Sequence, residues 1–114
     1  MEAIHTKGPW TLETVKTTCG ICHRIGPFPW RDNQANHACV YVDNAYIGDE
    51  AHNPLAAELL ANARLIAAAP DMLAALLAID LARHTDAEAD WEKATRLSDA
   101  AISKATSRQP EGER

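Results

Sequence analysis

Three cysteines and two histidines lie close enough along the chain to grip a metal ion. Cys19 and Cys22 are separated by two residues, the knuckle spacing that lets two thiolates hold one tetrahedral ion. His37 and Cys39 follow on a neighbouring segment, with His23 as a further donor. Cys19, Cys22, His37 and Cys39 therefore form a candidate zinc set, and zinc is the one cofactor these residue types suggest. Such an ion would tie two thinly packed strands together. The plainer reading is that cysteine is a common small buried residue, and that alternation along its strand turns Cys39 into the core. The spacing His37-x-Cys39 is also nonstandard for the second half of a zinc site. A redox dithiol fits less well, because Cys19-x-x-Cys22 does not open a helix in a βαβ unit.

A second constellation is the segment Gly26-Pro27-Phe28-Pro29-Trp30-Arg31-Asp32-Asn33-Gln34-Ala35-Asn36. Its prolines stiffen it, and a stiff loop loses less entropy on binding. Phe28, Trp30 and Arg31 are residue types favoured at interface hot spots, which makes them the candidate partner-binding anchors. The alternative is that Phe28 and Trp30 fold back over a sheet and complete a core poor in aromatics. A third constellation is acidic: Asp86, Glu88, Asp90 and Glu92, followed by Asp99. It could imitate phosphate charge toward a basic groove, but carboxylates also belong at a helix N-terminus for dipole reasons. His52 and His84 are single histidines that read as structural. No glycine-rich phosphate loop, nucleophile elbow or H-E-x-x-H pattern occurs, so an enzyme is not expected.

The elements that must position these residues follow from two different patterns. Residues 1–53 hold most of the glycines and prolines, four of the five histidines and all three cysteines. Trp10-Thr11-Leu12-Glu13-Thr14-Val15 alternates at period two, as a half-buried strand does. Ala38-Cys39-Val40-Tyr41-Val42 is rich in β-branched and aromatic residues. Residues 21–25 form a weaker strand, and Tyr46-Ile47 a candidate short edge. Residues 54–107 are helical in pattern. Asn53 suits an N-cap and Pro54 the first helical position. Leu55, Leu59, Ala63 and Ile66 recur on one face. Pro70 breaks this helix and opens the next, whose broad apolar face is Met72, Leu73, Leu76, Leu77 and Ile79 through Leu81. Thr85-Asp86-Ala87-Glu88 reads as a capping box opening a third helix, with a stripe of Ala87, Trp91, Ala94 and Ala101 beside Leu97 and Ile102.

The expected fold class is α+β: an N-terminal antiparallel sheet of three to four strands, then two to three helices packed on it. The first two helices are the natural cover of the sheet. One domain is expected over residues 1–107, β-rich to 53 and helical beyond, with a flexible tail at 108–114. The chain has 114 residues, 46 % apolar and 24 % charged, which is ordinary for a globular domain. Aromatics are only 5 %, so the core is built largely from Ala and Leu. Burial of so thin a core could be completed by a second copy, and a homodimer through the helices is the expected form. Small alanines let helix axes approach to roughly 8 Å.

The net charge of −5 argues against nucleic acid as a partner. The opening residues lack the basic-then-apolar pattern of a signal peptide, and no apolar stretch is long enough to span a bilayer, so a cytoplasmic location with no membrane partner is expected. In a reducing cytoplasm the three cysteines are not expected to form structural disulfides.

Two segments carry a family resemblance. His5-Thr6-Lys7-Gly8-Pro9-Trp10 resembles an HTxGPW opening. Asn62-Ala63-Arg64-Leu65-Ile66-Ala67-Ala68-Ala69-Pro70-Asp71-Met72-Leu73-Ala74-Ala75-Leu76 resembles an ANARLIAAAPDxLxAL helix–Pro–helix segment. Together they resemble a diffuse group of small accessory proteins encoded by bacteriophages and prophages. The resemblance covers roughly residues 5–79 and is specific for the group, not for an activity. Physically the shared segments read as scaffold, which leaves residues 16–53 and 82–114 to carry a particular function. The resemblance implies a non-enzymatic protein that binds and modulates a host protein, with an anti-defence, anti-CRISPR-type inhibitor as one form. Two alternatives are a zinc-stabilised module contacting nucleic acid, and an oligomeric sponge for a small nucleotide signal.

Overall fold

A computed structural model describes residues 4–30, 32, 34–43 and 54–107. Its sheet is an antiparallel meander of three strands in chain order: β1 (Thr11–Lys16), β2 (Gly20–Pro29) and β3 (Ala35–Asp43). Three helices follow: α1 (Pro54–Ala67), α2 (Ala69–Thr85) and α3 (Glu88–Thr106). The architecture is α+β, as the two sequence patterns predict. Asn53 and the candidate edge Tyr46-Ile47 lie outside the described residues, as does the tail at 108–114.

The β1–β2 hairpin closes through Thr17, whose hydroxyl donates to the Gly20 carbonyl at 2.8 Å and accepts the Gly20 N–H at 3.0 Å. Register then pairs Thr14 with His23 and Leu12 with Ile25. Alternation along β2 turns Ile21, His23 and Ile25 to one face, where all three are buried. His23 is a buried polar residue among apolar neighbours, and the Thr14 hydroxyl meets its Nδ1 at 2.9 Å. That bond offsets the cost of burying an imidazole.

The inward face of the sheet is covered by α1. Ala63 and Ala67 pack on Ile25, with Trp10, Leu12, Ala38 and Val40 around them. Ala56 packs on Ile21 and Val42, with Leu59 beside them. The alanines let the helix lie close to the strands. Of the face read from sequence, Leu59 and Ala63 point inward, whereas Leu55 and Ile66 stay exposed.

The expectation that two helices cover the sheet is corrected. α1 alone does so, while α2 pairs with α3 as a helical hairpin whose α3 also reaches back to α1. The cause lies at Pro70, where α1 and α2 meet at 49° and the chain turns off the sheet. Gly8 passes so close to this junction that a Cβ there would lie 2.8 Å from the Pro70 ring, which explains a glycine at that position. At the same junction Lys104 Nζ, near the end of α3, donates to Asp71 Oδ2 at 2.8 Å.

The capping box is corrected too. Thr85 is the last residue of α2, and α3 begins three residues later. Asp86 adopts the left-handed conformation and its N–H donates to the Ala82 carbonyl at 2.7 Å, closing α2. The Thr85 hydroxyl instead donates to Asp90 Oδ2 at 2.7 Å.

The largest departure concerns α2. Its inward residues are Ala75, Ala78 and Ala82, and the last two meet Ala94 of α3 under Ile79 and Leu97. Leu73, Leu76, Leu77 and Leu81, read from sequence as a core face, are exposed. No single helix among the described residues is long and apolar enough to cross a membrane.

Candidate functional site

The tip of the β2–β3 hairpin is built by a break in register. Pairing runs regularly to Ile25 opposite Ala38, shifts across Gly26-Pro27, and resumes with Phe28 opposite Asn36. The shift carries β2 four residues beyond the strand predicted from sequence. It also separates the fates of the two aromatics. Phe28 is half-buried, edge-on to Trp10 with ring centroids 5.1 Å apart. Trp10 is itself fixed, because its indole N–H donates to the Thr6 carbonyl at 3.0 Å. Trp30 lies beyond this anchor and is 53 % exposed. It borders a shallow groove of about 380 Å³ lined also by Thr6, Pro27, Pro29, Gln34 and Ala35. Arg31 lies outside the described residues. Of the three proposed anchors, Phe28 thus serves the scaffold and Trp30 faces outward. An aromatic that follows a proline at a hairpin tip brings large contact area with less freedom left to lose.

The four candidate zinc donors are not gathered. Cys22 and Cys39 are joined by a disulfide on the outer face of the sheet, with their Cα atoms 6.0 Å apart. This corrects the expectation of no structural disulfide. Cys22 stands opposite Tyr41 and Arg24 opposite Cys39, so the two cysteines are diagonal neighbours within disulfide reach. Cys19 is a free, exposed thiol in the β1–β2 turn, where its N–H donates to the Thr17 hydroxyl at 3.2 Å. The two-residue spacing therefore spans a hairpin turn, not a metal knuckle. His37 lies against Arg24, whose Nη2 is 3.3 Å from its Nδ1. Arg24 also reaches Glu13 at 3.5 Å, so a chain of polar groups crosses this face. His23 points to the opposite, buried side. Among the described residues no group of three or more His, Cys, Asp or Glu side chains converges as a metal site.

Counting reactive thiols tests this arrangement. One of the three cysteines should react under native, non-reducing conditions, and all three after reduction and unfolding. Stoichiometric zinc, with three thiols that become reactive on chelation without any reductant, would restore the metal reading.

The acidic face divides in two. Asp86 and Asp90 serve the α2–α3 turn: Asp86 Oδ1 accepts the Trp91 indole N–H at 3.2 Å, and Asp90 accepts from Thr85. Glu88, Glu92 and Asp99 line a groove along α3 with Trp91, Thr95 and Arg96. His84 Nδ1 lies 2.7 Å from the Asp80 carbonyl one turn before it, a structural contact. His52 lies outside the described residues.

These features define a small α+β protein that offers surfaces: a stiff aromatic hairpin tip, an outer sheet face and an uncovered helix face. Its origin is shown by comparison with known families. The family described as Salmonella phage P22 protein Y8K6 matches residues 1–109, nearly the whole chain, and the chain belongs to that phage protein family. No curated protein and no solved structure matches it.

Proposed function

We propose that this chain is a non-enzymatic phage accessory protein that binds a host protein in the host cytoplasm and modulates it, as an inhibitor of host defence. The observation that carries the reading is Trp30, 53 % exposed next to Pro29 at a tip that the Phe28–Trp10 contact anchors. Exposed tryptophans on rigid supports are the residues that dominate interface energies. Arg31 would add the charged partner that such anchors commonly have. Membership of a phage family supports a host-directed role. The alternatives have less behind them: the acidic chain opposes a nucleic-acid module, and the zinc donors it would need lie apart. A nucleotide sponge would need a cationic cavity, and the groove at Trp30 has no Lys or Arg among its lining residues Thr6, Pro27, Phe28, Pro29, Gln34 and Ala35.

The test is affinity capture with the tagged chain in its bacterial host. The expected result is one stoichiometric host protein, lost with Trp30→Ala. That substitution should weaken binding by about 2 kcal/mol, roughly 30-fold, with thermal stability unchanged. A collapse in melting temperature would mean that Trp30 belongs to the scaffold. Capture of no host protein by the wild-type chain would overturn the reading.

A further inference from the structure

We propose that the leucine face of α2 is the interface of a two-fold homodimer. The inference rests on the helix itself and is independent of any host partner. α2 is built inside out. The side turned to its own chain carries alanines, with Ala82 fully buried, while Leu76 and Leu77 on the opposite side are 63 % and 62 % exposed. Leu73, Leu76, Leu77 and Leu81 recur at the spacing of one helical stripe. Leu65 and Ile66 are exposed on the last turn of α1, just before the bend. A helix apolar on all sides is stable when all sides are covered, and this chain covers only one.

The areas agree. The six exposed side chains of the stripe account for roughly 600 Å², close to the ~800 Å² per partner of a standard interface.

Charge does not oppose a second copy. Asp80 and His84 lie 3.6 Å apart on the stripe, exposed Lys7 lines a groove with Leu73 and Leu77, and exposed Arg83 lies on the same helix. Asp71, at the other end, is held by Lys104. The groups around the stripe are thus of both signs, so two copies do not meet as a patch of like charge. Antiparallel pairing of two α2 helices about Leu77 sets Leu73 of one chain opposite Leu81 of the other. Two-fold symmetry then supplies the matching surface without further design. The alanines have a different role from the one expected of them. They close the hairpin within the chain, and the leucines are left for the partner copy.

Light scattering on the full chain at about 50 μM should give twice the 12.4 kDa chain mass. Leu76→Glu combined with Leu77→Glu should give the single-chain mass with an unchanged helical spectrum, because neither leucine supports its own chain. Trp30→Ala should remain dimeric. A second variant guards against misfolding: in a Cys19→Ser background, Leu77→Cys should crosslink two chains on oxidation, whereas Glu92→Cys on α3 should not. A wild-type chain of single mass overturns the proposal, as does a dimer indifferent to the double substitution. A monomer that pellets with phosphatidylglycerol vesicles would instead assign the stripe to a lipid surface.

Discussion

Replacing Ile25 by alanine should destabilise the protein by about 2–5 kcal/mol, a fall in melting temperature of roughly 10 °C or more, measured by circular dichroism on heating. Ile25 is fully buried at the centre of β2. The residues that touch it from α1 are Ala63 and Ala67, with no longer side chain to swing into the space left behind. Leu12 and Val40 are held by the strands on either side. The cavity would therefore persist, and persistence is what places a truncation at the upper end of its range. A loss below about 1 kcal/mol would mean that α1 is not seated on the sheet as described.

The second large effect runs against the habit of treating leucine as core and alanine as filler. Ala82→Leu should cost about 3 kcal/mol, because Ala82 is fully buried where α2 meets Ala94 of α3. The added atoms have no space unless the two helices move apart. Leu77→Ala, five residues earlier on the same helix, should leave the hairpin itself almost unchanged, since most of that side chain is exposed. Urea denaturation of the two variants, at concentrations low enough to hold the chain monomeric, separates these outcomes. Equal losses would mean that the inward face of α2 is misassigned.

How far the sequence reveals this molecule depends on whether a pattern carries direction. Strand positions were legible because Trp10 to Glu13 alternate apolar and polar, and Val40 and Val42 flank Tyr41. The helix break was legible at Pro70. The length of β2 was not, because Gly26-Pro27 reads as an interruption when it is a shift within a continuing strand. For α2 the periodicity locates a helix but cannot orient it. With apolar residues on both sides, composition does not say which side faces the chain's own core. The inward turn of His23 was legible in principle, since it alternates with Ile21 and Ile25 at period two. Its nearness to Cys22 in sequence drew attention to metal chemistry instead. The cysteines show the same difficulty: spacing along the chain does not tell a turn from a strand, and the disulfide depends on cross-strand register.

Most of the buried apolar residues of the described chain fall into three small clusters: two beneath α1 and one within the helical hairpin. The Trp30 tip is anchored through Trp10, in the second cluster, and the α2 leucines lie on the back of the third. The segment from Thr6 to Trp10 joins them, since its Gly8 meets Pro70 at the start of α2. The two surfaces can also cooperate by number. A paired assembly carries two identical tips, and a target with repeated sites would be held by avidity, the second tip binding at high effective concentration once the first has engaged.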